Sequence, residues 1–331
     1  MLMLRWLALA AALLCLRLEP SAAAELVKLR YGQAYSAVHT IFALPVAVAQ
    51  SEGLFRREGI DFQLVIPIPG GSDKMIAALH DDTVDVTHVA TPFLVRAALA
   101  GSDGVAIAAE FNSPVYSLVA QPQIARFSDL RGKLIGMADE GGTISFSIRK
   151  LLARHGLSAG DFRTKVIEGT PARLSCLQRG ECAAVPLGQP DDFTAAAKGY
   201  RVLGSSTEAV PDFVYTVTAA RKSWAEANKD AVTRYVRALA SAFEFIHDPA
   251  NRAAVVRITM TLTGCSEASA RATLALYLDP DRNVLPRRGE LSLDGLGRVI
   301  SFMAETGAIK GQLPSPGNFV DLRYLQAAGI K

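Results

Sequence analysis

Met137-Ala-Asp-Glu-Gly-Gly-Thr143 gathers residue types that hold a small anion. It follows a short apolar run, Leu134 to Met137, and leads into a pattern whose positions Ile144, Ile148, Leu151 and Leu152 fall on one face of a helix. Gly141 and Gly142 permit backbone angles that other residues avoid, and Thr143 is of a type that caps a helix start. A strand that runs through a loop into a helix start presents free backbone N–H groups and the positive end of the helix dipole at one point. That geometry suits a small anion. The same residues equally fit an ordinary strand-to-helix connection that binds nothing. Asp139 and Glu140 sit awkwardly beside an anion site; they point either to a ligand that also carries a cationic group or to side chains that face solvent.

Two further helix starts offer the same chemistry, and they are related. With Leu79 aligned on Leu177, the chain repeats itself without a gap: Gly71-Ser72 falls on Gly169-Thr170, Val84 to Val86 on Cys182 to Ala184, and Pro92 on Pro190. Ser72 and Thr170 are both N-cap types, and Pro171 sits where a first helical turn favours proline. Two units built on one strand-helix-strand plan are expected. Around them, strands are expected over Leu26–Gly32, Asp61–Pro67, Asp82–His88 and Ala106–Glu110, with helices between. Alternating strands and helices imply a parallel sheet. Extended segments at Tyr116–Gln121 and Pro211–Thr216 read as crossings between two domains, and the last third reads as helical. Its longest helix, Asp230 to His247, has an apolar face of Val232, Tyr235, Val236, Leu239, Phe243 and Ile246.

Composition excludes several classes of function. Of the 331 residues, 50% are hydrophobic and 20% charged, as in a globular protein large enough for two cores. A net charge of +3 without a Lys/Arg stripe leaves no footprint for nucleic acid. Arg5, the apolar run Trp6–Leu16 and Ser21-Ala-Ala-Ala24 form a secretory signal peptide, residues 1–24, with cleavage expected after Ala24 and a periplasmic product. Leu14 ahead of Cys15 argues against a lipid anchor. Cys176, Cys182 and Cys265 then remain; the first two are spaced to form a disulfide, and free buried thiols fit as well. No Cys/His cluster has metal-ligand spacing, and no GxSxG, HExxH, GxxxxGK[ST] or GxGxxG motif occurs. His39 and His88 lack a Ser or Asp in a recognisable catalytic arrangement. Neither a cofactor nor a metal is expected, and no enzyme activity.

Ala49-Gln-Ser-Glu-Gly-Leu-Phe55 with Glu58-Gly-Ile-Asp61, Ala78-Leu79 ahead of Val84-Asp85-Val86, and Asp129-Leu-Arg-Gly-Lys-Leu-Ile-Gly136 occur in an order with a family likeness. Leu151-Leu152 with Gly156-Leu157, and Leu177 with Gly180-Glu181 and Ala184, continue it. The chain resembles the periplasmic solute-binding proteins of ABC importers, in the group that takes up nitrate, taurine, alkanesulfonates or thiamine-pyrimidine precursors. It departs at Ala183, where that family often carries Asp. The resemblance implies an α/β, two-lobed periplasmic-binding-protein fold, type II-like, with lobe 1 at 25–112 plus 217–331 and lobe 2 at 113–216. It further implies a monomer that closes on a small-molecule ligand and docks on a membrane permease, with no nucleic-acid partner. Ligand contacts are expected from Tyr35, Ser36, His39, Gly71, Ser72, Thr91, Phe111 and Asn112 on the first side. Glu140, Gly141, Gly142, Thr143, Thr170, Gln189 and Tyr215 are expected on the second. Hydroxyls and helix-start N–H groups would hold an anionic head, and Tyr35, Phe111 and Tyr215 an apolar body; each residue also fits a role as cap or packing group. A sulfonate- or taurine-like anion is the expected ligand. A thiamine-pyrimidine precursor, an aromatic carboxylate, a sensor role, or a pyrimidine-synthase-like enzyme on the same fold are the alternatives. Such synthases are cytosolic and use a His, Lys and Cys apparatus, which the signal peptide and the missing Cys cluster argue against.

Overall fold

A computed structural model describes residues 26–68, 70–210 and 213–330. The expected signal peptide and its cleavage site lie outside the described residues, as do Pro211 and Asp212 of the second crossing. Ten strands are described: β1 (Val27–Ala34), β2 (Ile60–Ile68), β3 (Val86–Ala90), β4 (Gly104–Phe111), β5 (Ser117–Ala120), β6 (Leu134–Met137), β7 (Arg163–Val166), β8 (Ala184–Leu187), β9 (Arg201–Ser205) and β10 (Thr216–Arg221). They form two five-stranded sheets, in the orders β2-β1-β3-β10-β4 and β7-β6-β8-β5-β9. Both are parallel except at one strand: β10 runs antiparallel to β3 and β4, and β5 antiparallel to β8 and β9. The exception has a topological cause. β5 is where the chain enters the second sheet, and β10 is where it returns to the first.

The duplicated plan is visible in the coordinates. The helices Ser72–His80 and Thr170–Gln178 occupy matching positions in the repeat, and β3 and β8 begin at the matching residues Val86 and Ala184. In both helices, however, the N-cap is the glycine, Gly71 or Gly169, and Ser72 or Thr170 is the first helical residue. Thr143 likewise opens its helix, Thr143–Arg154, behind an N-cap at Gly142 and makes no capping bond. The strand expected over Asp82–His88 forms over Val86–Ala90. Asp82 takes a left-handed φ of 59°, and Asp85 is drawn to Arg30, accepting from its guanidinium at 2.6 Å and its backbone N–H at 2.7 Å.

The C-terminal third is helical and returns to the first sheet. All six residues of the expected apolar face are buried in the helix Lys229–His247, which packs on the helix Leu44–Ser51. Each such side chain contributes about 1.5–3 kcal/mol over leaving it in water. Beneath the second sheet, Cys176 and Cys182 are joined in a disulfide across the end of the helix Thr170–Gln178, while Cys265 is free. Among the described residues no helix is long and apolar enough to cross a membrane.

Candidate functional site

Carboxyl ends of parallel strands from both sheets converge on one cavity of about 570 Å³. Ala34 ends β1, Ala90 ends β3, Ala138 follows β6 and Val166 ends β7, so the lining is built where open α/β sheets place their ligands. The starts of three helices, at Ser72, Thr143 and Thr170, also open here. Phe42, Tyr116 and Tyr215 form one aromatic stretch of the wall. Phe42 stacks on Tyr116 with ring centres 6.0 Å apart and meets Tyr215 edge-on at 5.8 Å, and the two tyrosine hydroxyls stand 3.3 Å apart.

The loop after β6 is stitched by its own side chains. Ser145 Oγ accepts the Ala138 and Asp139 N–H groups at 3.1 and 3.0 Å, and Asp139 Oδ1 accepts the Gly142 N–H at 2.6 Å. Gly142 is required by that turn. A Cβ there would stand 2.6 Å from the Asp139 carboxylate. Thr143 Oγ1, in contrast, is buried at the cavity and has no hydrogen-bond partner. Thr216 Oγ1, on the opposite wall, is in the same condition. A buried hydroxyl left unpaired costs about 1–3 kcal/mol, so these two oxygens mark where a ligand atom would relieve a cost.

Arg173 is the dominant charge of the site. Its side chain is buried, only 2% exposed, and lines the cavity. Nε donates to Pro186 O at 2.7 Å, Nη1 to Ile167 O at 3.1 Å and Nη2 to Thr170 Oγ1 at 3.1 Å. All three acceptors are neutral. Asp139 and Asp191 act on the guanidinium only across space, and it forms no salt bridge among the described residues. Burial pushes its pKa down, against the opposing pull of Tyr116, Tyr215, Asp139 and Asp191. Burial also raises the Asp139 carboxyl, partly offset by the Gly142 N–H, Ser145 and Arg173, and it raises the Tyr116 and Tyr215 hydroxyls. The centre of the site is therefore a desolvated cation without an anion in contact.

Seven of the sequence-selected residues line this cavity: Gly71, Ser72, Glu140, Gly141, Thr143, Thr170 and Tyr215. Gly142 stands directly behind the lining. Four others are buried outside the lining. Thr91 Oγ1 donates to Tyr215 O at 3.1 Å, Phe111 meets Phe42 edge-on at 4.9 Å, and Asn112 donates to Asn283 Oδ1 at 3.3 Å. Gln189 accepts from the Tyr277 hydroxyl at 3.0 Å and donates to Asp192 at 2.8 Å. Tyr35 and His39 point to solvent, and the Ser36 side chain lies outside the described residues. Sequence reasoning passed over Arg173, Phe42, Tyr116 and Thr216, and it noted Asp139 beside the site without counting it among the ligand contacts. For Arg173 a signal existed: in the gapless repeat it falls on Met75, a position that the first unit buries entirely.

Residues 42–253 match the family model described as NMT1/THI5 like. The chain belongs to the NMT1/THI5-like family. "Putative binding protein YtlA" of Bacillus subtilis (strain 168) is 24% identical over 218 residues, 63% of this chain and 64% of that protein. This chain thus spans less than two thirds of that relative. The ligand-binding component of an ABC-type import system from Staphylococcus aureus, solved with zinc bound, superposes with a TM-score of 0.73 at 13% identity, over 92% of this chain and 99% of that one. The alkanesulfonate-binding protein SsuA from Xanthomonas axonopodis pv. citri, bound to MOPS, does so with a TM-score of 0.69 at 18% identity, over 89% and 98%. At such identities the likeness establishes the fold, and both fold and family are those expected from the sequence. No group of three or more His, Cys, Asp or Glu placed to hold a metal occurs among the described residues.

Proposed function

We propose that this NMT1/THI5-like protein is an extracytoplasmic solute-binding protein of an ABC importer, which captures a small organic anion between its two sheets and delivers it to a membrane permease. The observation that carries this reading is Arg173: a buried guanidinium whose bonds all go to neutral oxygens, lining the same cavity as the unpartnered Thr143 hydroxyl at the start of a 12-residue helix. An unpaired charge in such a site costs several kcal/mol, and a carboxylate or sulfonate head offsets it with charge-assisted bonds. Phe42, Tyr116 and Tyr215 would pack the ligand's body. Residues 25–112 plus 217–331 and 113–216 would act as two lobes that a ligand touching both walls draws together. The role includes export with cleavage after Ala24, a monomeric state, and binding without catalysis or cofactor. The likeness to import-system binding components supports it.

The test is a thermal-shift screen of the purified protein, freed of carried-over ligand, against sulfonates, carboxylates, nitrate and aminopyrimidines. A ligand at about a hundred times its dissociation constant adds about 2.7 kcal/mol of stability. Hits among anions are expected. Arg173→Met should weaken them about 100-fold or more, and Thr143→Val about 10-fold. Thr143→Val removes a hydroxyl that no protein group uses, so its melting temperature should stay level or rise. Hits confined to neutral pyrimidines, or anion binding indifferent to Arg173→Met, would refute the reading.

A further inference from the structure

The wall opposite Arg173 carries a polar pair that an anionic head on Arg173 and Thr143 leaves unused. His88 lines the cavity from β3, and its Nδ1 lies 2.8 Å from Glu110 Oε2. Glu110 is wholly buried, and its other oxygen accepts from Thr218 Oγ1 at 2.7 Å. A carboxylate only accepts, so the hydrogen sits on Nδ1. Nε2, on the far side of the ring, makes no hydrogen bond among the described residues. A second polar residue of the same sheet lines the cavity with His88. In the antiparallel pairing of β3 with β10, His88 faces Thr218 and Ala90 faces Thr216. Residues two apart on a strand share a face, which makes His88 and Thr216 diagonal neighbours, with Cα atoms about 7–8 Å apart. Thr216 Oγ1 is the unpartnered hydroxyl of this wall. Phe42 spans the gap between the walls, 6.4 Å from the His88 ring and 6.0 Å from that of Tyr116.

We infer that the ligand carries a hydroxyl group remote from its anionic head, and that His88 Nε2 and Thr216 Oγ1 hold that hydroxyl. This rests on the organic-anion reading. A hydroxyl fits because it both donates and accepts. It gives its proton to the Nε2 lone pair of a neutral ring or accepts from the N–H of a charged one, and its remaining capacity meets the Thr216 hydroxyl. Glu110 acts as a positioning residue: it fixes the tautomer and the plane of the imidazole, and Thr218 fixes Glu110. A ligand with one end on each wall also supplies what closure of the two halves needs, a contact free energy available only when both walls approach.

The experiment is calorimetric titration of the purified protein with matched pairs: benzenesulfonate against its 3- and 4-hydroxy derivatives, benzoate against the same derivatives, and propanesulfonate against 3-hydroxypropanesulfonate. The expected result is that a hydroxylated member binds at least tenfold more tightly than its parent. In His88→Leu and in Thr216→Val that ratio should fall toward one. The ratio is read within each variant, so a general loss of packing does not imitate the effect. Thr216→Val sacrifices no protein hydrogen bond, and it keeps the test open should His88→Leu, which strands Glu110, fail to fold. In Glu110→Gln the ratio should drop part of the way. Parents and hydroxylated members that bind alike, through Arg173, would overturn this inference and leave the organic-anion reading standing. So would a ratio that survives both His88→Leu and Thr216→Val. Folded protein that binds no member of the panel overturns both.

Discussion

The helices Ser72–His80 and Thr170–Gln178 share a backbone and differ in purpose. Each follows a glycine N-cap, each runs nine residues, and each turns back on the same pair of bonds. Val84 N–H reaches Ala78 O at 3.3 Å in one, and Cys182 N–H reaches Cys176 O at 3.3 Å in the other. Their first residues already diverge: Ser72 Oγ accepts the Ala90 N–H at 2.9 Å and so ties helix to strand, whereas Thr170 Oγ1 accepts from Arg173. At the position of Arg173 the first helix carries Met75, wholly buried among Ala34, Leu79, Val84, Val89 and Leu94. One unit fills this position with apolar volume and gains stability. The other fills it with a charge, satisfies three of its donors with neutral oxygens, and leaves its countercharge to come from elsewhere.

Exchanging the two residues is the strongest way to break the comparison. Met75→Arg should destabilise the protein by about 3–5 kcal/mol in urea titration, because the apolar pocket supplies no carbonyl cradle for a buried charge. A loss under about 1 kcal/mol would mean that the two environments are interchangeable after all. The reverse change, Arg173→Met, removes a desolvated charge and strands its acceptors at once. Stability should therefore shift by less than about 1.5 kcal/mol while anion affinity collapses. Function and stability separate at one residue.

The second difference is covalent. Cys176 and Cys182 match Ala78 and Val84 of the first unit, which hold the same turn with backbone bonds and apolar contact alone. The double change Cys176→Ala with Cys182→Val copies the first unit onto the second. It should lower stability by about 2–3 kcal/mol, as expected for a short closed loop, and move anion affinity less than threefold. A larger loss of affinity would show that the disulfide holds the Arg173 helix in its binding position.

Local features of the chain were legible in the sequence where backbone chemistry decides them. Leu134–Met137 and Thr143–Arg154 follow from an apolar run, two glycines and a helical period. The buried face of Lys229–His247 follows from period alone, and the repeat fixed the matching starts of β3 and β8. Caps were misplaced by one residue, because Ser72 and Thr170 spend their hydroxyls on Ala90 and Arg173, partners that sequence does not reveal. Tyr35 and His39 were chosen for standing after a strand, yet the short helix Tyr35–Val38 leaves Tyr35 turned outward. Arg173 escaped for the converse reason. A lone arginine in a helix reads as solvated, and only its alignment with Met75 marks the position as interior. Thr216 escaped because an extended crossing gives no hint of which sheet it will join.

Asp139 offers the finest adjustment of the same contrast, since the first unit has no acid acting on Met75. Its carboxyl is raised from its ordinary value, chiefly by burial, and it acts on Arg173 across space. The sign of the pH effect follows. A carboxyl whose pKa is higher folded than unfolded favours the folded state in acid, and that stability is lost as pH rises from the unfolded value through the folded one. Anion affinity should fall over the upper part of the same window, as a negative charge appears beside the guanidinium. Asp139→Asn keeps an oxygen for the Gly142 N–H and removes the charge. At pH 7.5 it should bind the anion about threefold to tenfold more tightly than wild type, an effect of about 1 kcal/mol for a charge several ångströms away. At a pH below that window the two proteins should converge. Calorimetry at both values, wild type against variant, isolates Asp139 from Asp191 and Asp192, whose carboxyls burial also raises. Weaker binding by Asp139→Asn at pH 7.5 would instead assign the carboxylate to a cationic group on the ligand, and the site would then be one for a zwitterion.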